Sequence, residues 1–203
     1  MDKIYSDIAV RTFGDIYIGV VGPVRTGKST FIKRFMETLV IPNIENIYMR
    51  ERARDELPQS GSGKTIMTAE PKFVPEDAVD VTLEGGASFK VRLIDCVGYM
   101  VDGAVGGFED DAPRMVTTPW FEEQVPMTVA AETGTRKVIA EHSTIGVVVT
   151  TDGTVTDIES GDYIEPTDRV IGELKELGKP FIVVVNSTKP GSCACSGDGK
   201  NSA

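Results

Sequence analysis

Residues 22–30 read Gly22-Pro23-Val24-Arg25-Thr26-Gly27-Lys28-Ser29-Thr30, directly after the apolar run Ile16-Tyr17-Ile18-Gly19-Val20-Val21. This is the pattern G-x-x-x-x-G-K-[ST] in the setting it requires. An apolar strand precedes it, and Phe31, Ile32, Phe35, Met36 and Leu39 follow at helical spacing. A loop turning from a strand into a helix N-terminus aims several backbone N–H groups at one point, which is what a phosphate chain needs. Gly22 and Gly27 let the main chain approach without a Cβ in the way. Lys28 is placed to reach the β- and γ-phosphates, and the Ser29 hydroxyl to ligate Mg²⁺. The whole loop from Gly22 to Thr30 is therefore expected to bind a nucleoside triphosphate.

The rest of the chain alternates strand and helix patterns around that loop. Val79-Asp80-Val81-Thr82-Leu83 alternates as a half-buried strand, Gly85-Gly86 supplies a turn, and residues 89–94 return antiparallel. Residues 127–141 have helical period, with Val129, Ala130, Val138 and Ile139 as the expected inner face. Residues 145–150 and 181–185 are apolar throughout, as strands buried on both faces are. Between them a helix over 166–177 is opened by Pro166 and closed by Gly178. The stretch 46–63 reads as a charged helical turn leading into a mobile loop, and 99–126 as a long loop. The expected fold is α/β of the P-loop NTPase, GTPase-like kind: a mostly parallel sheet with helices on both faces. Its ligand should lie at the carboxyl ends of the strands.

Composition narrows the function classes. The chain has 203 residues and a formal net charge of −10. That length suits one α/β domain. The acidic balance, with no basic cluster, speaks against nucleic acid as a partner. No apolar run reaches the ~18 residues a membrane span needs, and the first residues lack the pattern of a signal peptide. Three cysteines give no disulfide framework. Cys96 reads as a small core residue, and Cys193-x-Cys195 in a polar tail is a weak metal signal. A reducing, cytosolic compartment fits this usage.

Further elements extend the expected site. Asp95 ends the apolar stretch Val91-Arg92-Leu93-Ile94, the Walker B position from which a carboxylate holds Mg²⁺. With Gly98 it forms D-x-x-G, whose glycine N–H can meet a γ-phosphate and move when that phosphate leaves. A threonine ligating Mg²⁺ and meeting the γ-phosphate is expected within 63–71, with Thr68 and Thr65 as candidates. After the strand 181–185 stand Asn186-Ser187-Thr188-Lys189, where a guanine-reading protein carries Asn-Lys-x-Asp. Without that final carboxylate, adenine is the expected base. His142 is expected to favour a helix C-terminus rather than catalysis, and Trp120 to pack on its own domain.

The segments DELPQS (55–60), GKTIMT (63–68), EPKFVP (70–75), LIDCVGY (93–99), TPWFEE (118–123), 134–154 and GKPFIVVVNS (178–187) resemble the stage IV sporulation protein A family. The resemblance covers about residues 1–190. It implies a GTPase-like fold that has switched to ATP, with hydrolysis driving self-assembly into a homopolymer. That polymer would be the spore coat base layer, on the forespore surface in the mother-cell cytoplasm. A small amphipathic membrane-bound peptide and other coat proteins are the implied partners. Lys28 matches the Walker A lysine, Asp95 the Walker B acid, and Thr68 the first of two adjacent threonines that serve hydrolysis. Ala69 stands in place of the second. Family members are more than twice as long, so 1–187 is expected to be an NTPase domain incomplete at its C-terminal end. Residues 188–203 are then a polar tail, and the chain reads as a fragment or a frameshifted form. A GTP-hydrolysing regulator and a nucleotide-gated scaffold without significant turnover are the competing functions.

Overall fold

The computed structural model describes residues 15–58, 70–82, 88–104, 107–109 and 112–191. Five strands form the main sheet. β1 (Asp15–Val21) lies at its centre, flanked by β3 (Ser88–Asp95) and β8 (Ile145–Thr151). β2 (Lys72–Thr82) lies outside β3, and β9 (Phe181–Asn186) outside β8. Only β2 runs antiparallel.

The strands hold this order because successive side chains face opposite sides of the sheet. Val20, Leu93, Val147 and Val149 turn to one face. There they meet Ile32 of α1 (Lys28–Phe35), Met36 and Val40 of the π-helical turn that continues it, and Ala53 of α2 (Ile47–Asp55). Val21, Ile94 and Val148 turn to the other face. They pack on Val138 and Ile139, just past α3 (Met127–Lys137), and on Val170 and Leu174 of α4 (Ile164–Glu176). Helices therefore cover both faces, as expected. Each fully buried aliphatic side chain of this set contributes about 1.5–3 kcal/mol, so the two faces hold the loops between them firmly.

Local signals explain the helix ends. The Asn46 carboxamide oxygen accepts from the N–H groups of Tyr48 and Met49 and starts α2. Beyond α4, Gly178 adopts φ 61° and its N–H closes on the Lys175 carbonyl at 3.0 Å.

Three expectations need correction. β2 begins at Lys72 rather than at Val79. Its pairing with β3 shifts register between Val74 and Val79, and the intervening Pro75-Glu76-Asp77 breaks the alternation by which a strand is recognised. Val129 is 42% exposed, whereas Met127, Ala131, Gly134 and Thr135 are buried beside Ala130. The inner face of α3 is thus rotated toward small residues that let the helix lie close to the loop after β3. The stretch 99–126 is not wholly loop. It holds two short antiparallel pairs, β4 (Phe108–Glu109) with β5 (Ala112–Pro113) and β6 (Met115–Val116) with β7 (Val125–Pro126). The Gly85-Gly86 turn, residues 59–63 and the two tail cysteines lie outside the described residues. Among the described residues no helix is long and apolar enough to cross a membrane.

Candidate nucleotide site

The loop between β1 and α1 is held from three sides. Gly22 has φ 137°, and a Cβ there would stand 2.2 Å from the Val149 carbonyl oxygen, so only glycine lets the loop leave β1 beside β8. On the β3 side, Val24 N–H donates to the Tyr99 carbonyl at 2.9 Å. On the β9 side, Asn186 Nδ2 donates to the Thr26 carbonyl at 3.0 Å. Within the loop, the Thr26 hydroxyl closes onto the Pro23 carbonyl at 3.0 Å, and Arg25 takes φ 62° at the turn.

The loop then delivers α1. Its first residue, Lys28, follows Gly27, and no side chain caps this end. The Phe31 N–H returns to the Gly27 carbonyl at 2.9 Å, so the N–H groups of Lys28, Ser29 and Thr30 precede the helix's own ladder and point into the loop's concavity. The Thr30 side chain itself is exposed.

The charged groups of this site sit in a poorly solvated place. Lys28 is buried and its ammonium donates to the Pro23 carbonyl. Burial lowers its pKa, with Cys96 and Asp95 acting in the opposite direction. Burial likewise raises the Asp95 pKa, against the Ser29 hydrogen bond and the nearby Lys28 charge. Both ionised forms are therefore held at a cost, which a polyanion with a divalent cation would relieve.

The Asp95 carboxylate shows how such a cation would fit. Its Oδ2 accepts from the Ser29 hydroxyl at 2.7 Å, while its Oδ1 is buried and has no hydrogen-bond partner among the described residues. A hydroxyl and a half-satisfied carboxylate side by side are hard oxygen donors of the kind Mg²⁺ prefers, with waters completing its shell. Among the described residues, Ser29 and Asp95 are the ones that would hold it.

Gly98 presses on the same point. It has φ 100°, and a Cβ there would lie 2.2 Å from the Gly22 carbonyl oxygen and 2.6 Å from Lys28 Nζ. The structure thus gathers Gly22, Gly27, Lys28, Ser29, Asp95 and Gly98 into one cluster at the carboxyl ends of β1 and β3. Thr68 and Thr65 lie outside the described residues, so the γ-phosphate threonine is not placed.

Two neighbours were not read from the sequence. Asn186 begins the Asn186-Ser187-Thr188-Lys189 segment whose last position lacks the guanine-reading carboxylate, and an Asn at that place is itself the signal of a contact to the loop. Thr135, buried on α3, donates its hydroxyl to the Ala131 carbonyl and accepts from Gly98 N–H at 3.1 Å. No pattern in the sequence connects it to residues 95–98. The segment after β9 is tied to the one after β8, with the Ser187 hydroxyl on Asp152 Oδ2 at 2.6 Å and Thr188 N–H on Thr154 Oγ1 at 3.0 Å.

The sheet order, the glycine-rich loop with its buried lysine, and the Ser29–Asp95 pair define a P-loop nucleotide-binding domain of the NTPase class. The family model described as Stage IV sporulation protein A, ATPase domain, matches residues 1–197, and the chain belongs to that family. It is 64% identical over 187 residues to Stage IV sporulation protein A of Bacillus subtilis (strain 168), covering 92% of this chain and 38% of that protein. To the protein of the same name from Clostridioides difficile (strain 630) it is 61% identical over 191 residues, covering 94% and 39%. The chain therefore spans under two fifths of the length of these relatives. Among solved structures, a dimerization-deficient mutant of Toc33 from Arabidopsis thaliana aligns with a TM-score of 0.38 at 11% identity, over 92% of this chain and 77% of that one.

Proposed function

We propose that this chain binds ATP with Mg²⁺ and hydrolyses it slowly, and that hydrolysis drives self-assembly of the spore coat base layer. The observation that carries the reading is the pairing of Ser29 with Asp95 beside a buried Lys28, at the mouth of a loop lined by helix N–H groups. Membership of an ATPase-domain family of a sporulation protein supports it.

In this reading the N–H groups of Lys28, Ser29 and Thr30 cradle the phosphates, and Lys28 neutralises charge between the β and γ positions. Bound Mg²⁺ would supply electrostatic stabilisation of the phosphoryl oxygens. Ser29, Asp95 and Thr68 would hold it, the Gly98 N–H would meet the γ-phosphate, and Thr68 would act at that phosphate in hydrolysis. Lys189 stands where a guanine-reading carboxylate would accept two N–H donors; an ammonium accepts none, which supports adenine. The location would be the mother-cell cytoplasm at the forespore surface. Partners would be further copies of the chain, a small amphipathic membrane-bound peptide and other coat proteins. One observation favours a nucleotide-gated scaffold with little turnover instead, the Ala69 beside Thr68.

The deciding experiment compares wild type with Lys28→Ala. A ligand at about 100 times its Kd stabilises a protein by about 2.7 kcal/mol, so wild type should show a thermal shift with ATP–Mg²⁺ that the variant lacks. Phosphate release at saturating ATP then separates hydrolysis from gating. Equal shifts in both proteins would remove the P-loop assignment.

A further inference from the structure

The Gly98 N–H has two possible partners in this fold, and the structure shows it on the one that is not a phosphate. It donates to the Thr135 hydroxyl at 3.1 Å, and that hydroxyl donates in turn to the Ala131 carbonyl at 2.8 Å, with the Cys96 sulfur a more distant acceptor at 3.7 Å. Thr135 is fully buried, so water does not compete for it. Gly98 also lies against the far end of Lys28, since a Cβ on it would be 2.6 Å from Nζ. The same peptide is thus within reach of both α3 and the group that faces the terminal phosphates.

Its neighbours are fixed. Tyr99 accepts from Val24 N–H through its carbonyl, and its phenol donates toward both Glu173 carboxylate oxygens at 2.8 and 2.7 Å. The Arg169 guanidinium lies 4.1 Å from its ring centroid. On the other side the Cys96 thiol reaches the Val20 carbonyl at 3.5 Å. A change of partner by Gly98 is therefore a local rotation between two pinned residues, open to glycine alone at φ 100°.

We propose that Thr135 is a positioning residue for the nucleotide's terminal phosphate: its hydroxyl holds the Gly98 N–H until a γ-phosphate takes it, and so sets how strongly the site prefers ATP to ADP. This rests on the ATP-binding reading above. A bond to an ionised phosphate oxygen is about twice as strong as one to a neutral hydroxyl, so the exchange runs toward ATP. Thr135 makes the ligand-free and ADP-bound forms tolerable by leaving no buried donor unpaired.

Thr135→Val keeps the side-chain shape and removes the acceptor. Only a γ-phosphate then satisfies Gly98, so the ratio of ATP to ADP affinity should rise about tenfold, equivalent to ~1.4 kcal/mol. ADP affinity should stay unchanged. Thr135→Ser restores the acceptor and should return the ratio to within about twofold of wild type. A purely structural threonine would shift stability and both affinities together, leaving the ratio fixed; a fixed ratio overturns the inference. Should the valine variant not fold, the Gly98 amide resonance of the wild type decides. It should move with a non-hydrolysable ATP analogue and not with ADP, and equal movement with both overturns the proposal. Wild type that binds neither nucleotide would remove the ATP reading itself, and this inference with it.

Discussion

Asp95 shows how one side chain can be costly in the free protein and useful with ligand. Its Oδ1 is buried with no partner among the described residues, its Oδ2 is held by Ser29, and burial raises its pKa. The orphan oxygen forfeits a hydrogen bond of order 1–3 kcal/mol that a hydrated Mg²⁺ would restore. Metal removal should therefore expose its role. In EDTA, wild type and Asp95→Ala should bind ATP about equally, whereas added Mg²⁺ should tighten wild type alone, by about tenfold or ~1.4 kcal/mol. Isothermal titration with and without Mg²⁺ measures this, and an equal gain in the variant would refute it. Cys96, one residue on, reports the same dry environment. Burial pushes its thiol up to about 11, with the Lys28 charge pulling the other way. Since the thiolate is the reactive species, Cys96 should resist iodoacetamide at pH 8 in the native protein and react once the chain is denatured. Peptide mass spectrometry on both samples would show it; labelling of native Cys96 would contradict the burial described.

At the scale of elements, the site is set by where β1, β3, β8 and β9 stop. β1, β8 and β9 are legible as short, largely apolar runs bounded by Gly, Asp or Asn and β3 as an alternating run ending at Asp95, and the loop after β1 carries a spacing that few other structures need. What stayed hidden depends on contacts distant in sequence. β2 is long only because β3 pairs with it across the bulge at Pro75, and α3 turns Thr135 rather than Val129 inward because Gly98 lies there. Thr68 is singled out over Thr65 by the family resemblance, and both lie outside the described residues. The β9 loop gives this scale its prediction. Asn186 holds the Thr26 carbonyl, and Lys189 occupies the position from which a carboxylate would select guanine. ATP should therefore displace a labelled nucleotide at least as well as GTP. A tenfold GTP preference, ~1.4 kcal/mol, would overturn the base assignment. Asn186→Ala frees that side of the loop and should weaken both nucleotides alike, since the contact is to the phosphate-binding backbone and not to a base.

For the whole molecule, the balance lies between a well-packed centre and an open border. β1, β3 and β8 are covered on both faces, yet Ile182, Val183 and Val185 of β9 are 58%, 44% and 45% exposed. β9 is bonded to β8 on one side and, among the described residues, ends the sheet order on the other, so its outer edge there offers N–H and C=O groups to an extended chain. Val183 and Val185 lie on the same face of this edge strand, and exposed aliphatics so placed form the kind of patch that drives association between copies. A net charge of −10 opposes contact between whole molecules, but at physiological salt that repulsion is screened beyond about 8 Å, whereas apolar contact and strand pairing are not. Association should win. The 203-residue chain should therefore self-associate without ATP, and more strongly as salt is raised. Light scattering across a salt series, with and without nucleotide, measures this. Val183→Lys places a gatekeeper charge on the open strand away from the nucleotide cluster, and should restore a monomer while keeping the ATP–Mg²⁺ thermal shift. A chain extended with a C-terminal region like that of its relatives should lose this nucleotide-independent association if that region covers β9. A wild-type chain that stays monomeric and unfolds cooperatively at high salt without ATP would show that the exposed face of β9 is tolerated as it stands.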